Sequence, residues 1–99
     1  MIKITTILTF PDIITNLFQS SFVQKLAKQK YLNSKSATDY FIDNRTTDLS
    51  VTYITEWISQ EVLDEYKNLP EVIENRKNRL DYYKITNITI LETIEVIPD

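Results

Sequence analysis

Chemistry in this chain falls to aromatic side chains. The one tryptophan, Trp57, offers a flat apolar wall and an indole N–H to donate. Tyr66 carries a hydroxyl able to orient a phenolic oxygen or hand over a proton. An ordinary phenol, with a pKa of about 10, is nevertheless a poor base at neutral pH. Trp57 and Tyr66 are the candidate catalytic pair, and Tyr53, Tyr40 and Phe22 are the candidates to line a substrate pocket. Each has a plainer role to set beside it. Trp57 can close a strand–helix junction, Tyr66 can lie on a buried helix face, and Tyr53 and Tyr40 can stack across a sheet. Packing is the commoner use of such residues. Asn44 and Arg45 are able to bind a polar group at a strand end, but a hairpin role is the more ordinary one.

What is missing narrows the chemistry further. The 99 residues contain no Gly, no Cys and no His. Without Gly there is neither a phosphate-cradling P-loop nor a dinucleotide fingerprint, both of which need the backbone to turn tightly or meet a phosphate closely. Without His there is no Ser-His-Asp triad, no histidine-bound catalytic zinc and no proximal haem ligand. Without Cys there is no disulfide framework, thiolate nucleophile or iron–sulfur site. The carboxylates Glu61 and Glu65 stand one helical turn apart, as many solvated pairs do, and an all-oxygen cation site would want a recognisable loop. No metal and no cofactor are expected.

Composition is that of a globular domain: 42% hydrophobic, 25% charged, with a mean hydropathy of −0.24. Residues 1–99 are read as one domain. A net charge of −3 and a sequence pI near 4.9 argue against nucleic-acid binding. Yet between Asp12 and Asp39 the only charged residues are Lys25, Lys28, Lys30 and Lys35. They either complement the C-terminal end of a helix dipole, the commoner case, or form a landing patch for an anionic partner or ligand. No segment approaches the roughly 18–20 continuous apolar residues of a membrane span. Threonines and Pro11-Asp12 interrupt the apolar N-terminus, so a signal peptide is not expected and a cytoplasmic location is the default.

Elements that could position these side chains follow from periodicity. Ile2, Ile4, Leu8 and Phe10 predict a first strand over 2–10. Pro11 and Asp12 suit a helix start, and Ile14, Leu17, Phe18, Phe22 and Leu26 predict a helix to about residue 30. Residues 31–36 read as a loop, 38–43 as a second strand, and 44–48 as a hairpin lacking the usual Gly. Alternation from Leu49 to Ile58 marks the clearest strand, followed by Ser59 as an N-cap. Val62, Leu63, Tyr66 and Leu69 give a helical face, Pro70 a kink or restart, and Val72, Ile73, Leu80 and Tyr83 a continuing stripe. A last strand lies within 85–97. The order β-α-β-β-α-β predicts an α+β, ferredoxin-like fold: a four-stranded antiparallel sheet with two helices on one face. Both faces of several strands are substantially apolar, so the uncovered face should line a ligand cavity or pack on a second copy.

The stretch Glu56-Trp57-Ile58-Ser59-Gln60-Glu61-Val62-Leu63-Asp64-Glu65-Tyr66, with Pro70 beyond it, resembles the signature segment of the antibiotic biosynthesis monooxygenase-like (ABM) domains of the dimeric α+β barrel superfamily. Trp57, Ser59, Glu61, Leu63 and Pro70 match, and the strand–helix order agrees over nearly the whole chain. Tyr66 stands where that family usually has His, and Lys35-Ser36 replaces its Pro-Gly. Of the Asn, Trp and His of the haem-degrading relatives only Trp57 is kept, so haem degradation is not expected. The resemblance implies a homodimer with a pocket between sheet and helices, binding a small apolar or aromatic molecule. It also implies a cofactor-independent monooxygenase acting on an aromatic or quinol-like compound. The alternative is a non-catalytic small-molecule-binding or dimeric interaction domain of the same fold.

Overall fold

The computed structural model describes residues 1–98. Four strands, β1 (Ile2–Thr9), β2 (Ala37–Asn44), β3 (Ser50–Trp57) and β4 (Thr89–Val96), form one antiparallel sheet in the order β2-β3-β1-β4. Their β-branched and aromatic content suits a pleated, half-buried surface. Helices α1 (Phe22–Asn33), α3 (Gln60–Lys67) and α4 (Pro70–Thr86) cover one face, and a single turn, α2 (Arg45–Asp48), joins β2 to β3. The fold is therefore α+β with an antiparallel four-stranded sheet, as the residue pattern predicts, but with four helices in place of two. Pro70 sits at the start of α4, where its missing N–H costs nothing, so the expected restart divides the second helical region cleanly. The last helix runs to Thr86 and turns into β4 through Asn87, a left-handed residue at φ 59°.

The largest departure concerns the first helix. Residues 10–21 are irregular, and α1 begins only after Ser21, whose hydroxyl accepts the Gln24 backbone N–H at 3.1 Å. Asp12 does not open a helix. Its carboxylate accepts from Ile14 N, Thr15 N and the Thr15 hydroxyl at 3.1, 2.9 and 2.7 Å, closing a local turn instead. The β-branched run Ile13-Ile14-Thr15 gives little impetus to continue helically. Leu17 and Phe18 pack into the core from this loop, while Ile14 and Phe22 are left exposed. The predicted hairpin at 44–48 is instead the helical turn α2, closed by Leu49 at φ 54° in place of a glycine.

The register places Ile2, Ile4, Thr6 and Leu8 of β1 on the same face as Val51, Tyr53, Thr55 and Trp57 of β3. That is the face the helices cover. Its core divides into two clusters. One gathers Ile2, Ala27, Ala37, Trp57, Leu63, Tyr66 and Val72; the other gathers Leu8, Phe10, Val51, Tyr83 and Ile88. Between them, over Ile4, Thr6, Tyr53 and Thr55, the helices stand off the sheet.

Candidate functional site

The gap between the clusters is a cavity of about 810 Å³. Thr6, Tyr53, Thr55 and Trp57 are among the residues of its sheet side, and Gln24, Tyr66, Asn75, Arg79 and Tyr83 among those of its helix side. A volume of that order accommodates a drug-sized ligand.

Trp57 is 2% exposed and closes one end. Its indole N–H donates to the Thr55 hydroxyl at 3.2 Å, so the donor expected for a ligand is engaged within the strand. The ring centroid lies 4.8 Å from that of Tyr66, and Tyr31 meets both rings edge-on at 5.7 and 5.4 Å. Such tilted and T-shaped contacts suit the quadrupoles of the rings. Tyr31 is anchored by its hydroxyl, which donates to the Glu65 carboxylate at 2.9 Å.

Ser59 caps α3 by accepting from Val62 N at 3.2 Å, and this fixes the helix turn that carries Leu63 and Tyr66 inward. The Tyr66 oxygen accepts a hydrogen bond from the side-chain amide of buried Gln24, leaving its own proton free to be donated. Burial pushes the Tyr66 hydroxyl above its ordinary pKa, and the Gln24 hydrogen bond opposes that only in part. Tyr66 is thus held as a neutral donor and does not serve as a base at neutral pH.

Tyr53 and Tyr83 face the other end. Burial raises both hydroxyls, Tyr83 to about 12. Among the described residues neither hydroxyl has a hydrogen-bond partner, and neither is shut away from the cavity. Tyr53 is steadied through its ring, 4.9 Å from Phe41 on the neighbouring strand. The positive charge of Arg79, which lines the same cavity, works against burial at Tyr53, Tyr66 and Tyr83 alike.

The cavity brings Trp57, Tyr66 and Tyr53 together. It does not include Tyr40 or Phe22. Tyr40 pairs with Ile54, whose row lies on the opposite sheet face, and is 61% exposed. Phe22 opens α1 and is 74% exposed, because a helix that begins at residue 22 buries its Gln24 and Ala27 side. Residues missed in the sequence are Gln24, Asn75, Arg79 and Tyr83 in its binding aspect. Asn75 accepts from Ser21 N at 2.9 Å and so ties the start of α1 to α4. Their signal was a helical spacing, Val72, Asn75, Arg79 and Tyr83, masked by the more apolar Ile73 and Leu80 beside it. Among the described residues no group of three or more His, Cys, Asp or Glu could hold a metal ion.

No protein-family model and no curated protein sequence matches the chain. Among solved structures, one from Deinococcus radiodurans, described as a candidate antibiotic biosynthesis monooxygenase, superposes with a TM-score of 0.60. The match covers 100% of this chain and 94% of that one, at 12% identity. The fold is ABM-like. A second structure, described as an antibiotic biosynthesis monooxygenase, gives a TM-score of 0.45 at 11% identity, covering 99% of this chain and 100% of that one. At 12% identity the likeness is one of architecture alone. No helix among the described residues is long and apolar enough to cross a membrane.

Proposed function

We propose that residues 1–99 form one ABM-like domain that works as a cofactor-independent monooxygenase on a small aromatic or quinol-like compound. The observation that carries this reading is the cavity itself, about 810 Å³ with the tilted, contacting rings of Trp57 and Tyr66 in its wall. An electron-rich substrate anion transfers an electron to O₂, and the resulting radical pair combines to a hydroperoxide. Loss of water then leaves a carbonyl. One oxygen atom stays in the product and the other departs as water with two substrate hydrogens, so the substrate supplies all the electrons and no external reductant is consumed. The protein's part is to hold the ring against Trp57 and donate the Tyr66 proton to the developing oxyanion.

Oxygen uptake with a panel of hydroquinones tests the reading. Saturable uptake that falls about tenfold or more in Tyr66→Phe supports it; uptake no greater than the protein-free rate across the panel overturns it. A second reading, a non-catalytic small-molecule-binding domain, is favoured by one observation: the Trp57 N–H and the Tyr66 oxygen already bond within the protein. Ligand binding without uptake is its signature.

The domain is further proposed to act as a homodimer through its uncovered sheet face. Ile42, Ile7 and Leu91 share one cross-strand row there, and Tyr40 and Ile54 share the next. That apolar band is a fitting seat for the same face of a second copy. Size-exclusion chromatography with light scattering at micromolar concentration should return twice the chain mass; a stable monomer rejects the dimer.

A further inference from the structure

The cavity's charge contradicts that of the chain. The protein carries a net charge of −3, yet six of its basic side chains and only two carboxylates line the cavity. One of those carboxylates, Asp39, is already neutralised by Lys28 at 3.0 Å. Lys25, Lys67, Arg76, Lys77 and Arg79 make no ion pair or hydrogen bond with any described residue, and the sole remaining lining carboxylate is Glu92. Arg79 is the informative member. It is half-buried rather than fully exposed, and it lines the same cavity as Tyr53, Tyr66 and Tyr83. A cation withdrawn from water normally has a counter-ion, because desolvation penalises the bare charge. Arg45, by contrast, has both nitrogens of its fork on Asp43 at 2.7 to 3.1 Å.

We propose that the cavity selects ligands bearing an acidic group, an aromatic acid whose carboxylate sits on the Arg79 guanidinium with the Tyr53 and Tyr83 hydroxyls as further donors. A planar guanidinium meets a carboxylate with two parallel hydrogen bonds, which a neutral amide cannot accept. The surrounding lysines and Arg76 raise the local concentration of anions at the mouth and add a dependence on salt. This assignment names the ligand class of the cavity proposed above as the reaction site, and so rests on that cavity binding small molecules. It requires no turnover.

The test compares two probes of one shape, 2-naphthoate and 2-naphthamide, by calorimetric titration. The single indole N–H resonance of Trp57 reports entry into this cavity. The wild-type protein should bind the acid roughly tenfold or more tightly than the amide at low ionic strength, with the margin shrinking as salt is added. Arg79→Gln should remove the preference by lowering acid affinity about tenfold and amide affinity far less, and Arg79→Lys should restore part of it. Equal affinity for acid and amide in the wild-type protein overturns the assignment yet leaves a binding cavity. Absence of binding by either probe overturns both. The wild-type comparison decides the matter even where a variant fails to fold.

Discussion

The two ends of the cavity are built on opposite plans. At the Trp57 end the polar groups at the rings are engaged within the protein, the indole N–H by Thr55, the Tyr66 oxygen by Gln24 and the Tyr31 hydroxyl by Glu65, while the Tyr66 proton stays free to be donated. At the Tyr83 end the aliphatic floor is sealed, with Val51 and Leu8 at 0% and 1% exposure. The polar groups above it are left open, the hydroxyls of Tyr53 and Tyr83 and the guanidinium of Arg79. Satisfied polar groups in a packed setting fix a structure; open ones facing a cavity are available to a ligand. Trp57, the residue the sequence singles out first, therefore sits at the structural end. The groups best able to recognise a ligand sit at the other.

Removing the structural end should cost most. Trp57→Ala deletes a side chain in contact with both other rings of its cluster, and should lower stability by about 3–5 kcal/mol. That is a large share of what a domain of this size possesses, so chemical denaturation should show the variant largely unfolded. A loss below about 1 kcal/mol would mean that this end is not structural, and the contrast would collapse. Tyr66→Phe keeps the ring but strands the buried Gln24 amide, which should cost about 1–3 kcal/mol in the same measurement.

Alkaline pH probes the open end. The Tyr83 hydroxyl is raised from 10.0 to about 12, so the folded protein holds this proton more tightly than the unfolded chain does. Its contribution is fully present below about pH 10 and is lost as pH climbs through 12. With the hydroxyl partly wetted by the cavity, the loss should be about 1–2 kcal/mol. Tyr53 and Tyr66 are shifted in the same direction and add to the fall. Denaturation curves from pH 9 upward should decline less in Tyr83→Phe than in the wild-type protein. Parallel curves would show that Tyr83 gains nothing from its surroundings.

How much of this could be read beforehand follows the same division. Strand alternation from Leu49 to Ile58 was legible because a half-buried strand imposes a period of two, and it carried Tyr53 and Trp57 to one face correctly. The same alternation was available for Tyr40, but the register that sets it opposite Ile54 is a tertiary fact. Around α1 the apolar spacing misled. Phe22, Val23 and Leu26 are exposed while Gln24 and Ala27 are buried, since Asp12 and Ser21 decide where helix begins. Polar cavity residues escape any search for apolar stripes. Asn75 and Arg79 line the cavity, Asn75 tied there by its bond to Ser21, and a hydrophobic pattern carries no trace of either placement.

The smallest expected effect isolates the open end most cleanly. Tyr53 has a hydroxyl without a partner and a ring fixed by Phe41, so Tyr53→Phe removes one oxygen and disturbs no packing. With no hydrogen bond to lose, stability should stay within about 0.5 kcal/mol of the wild-type value. Removing a hydroxyl that burial disfavours when ionised also flattens the alkaline decline slightly. Binding should respond where folding does not: one donor fewer around the carboxylate should weaken 2-naphthoate several-fold and leave 2-naphthamide less affected, since charged acceptors gain more from each donor. Thermal melts and calorimetric titration on the same preparation separate the two quantities. If Tyr53→Phe melts several degrees lower while binding the acid unchanged, the hydroxyl belongs to the scaffold. The open end would then be a second structural cluster, with Arg79 left to recognise the anion alone.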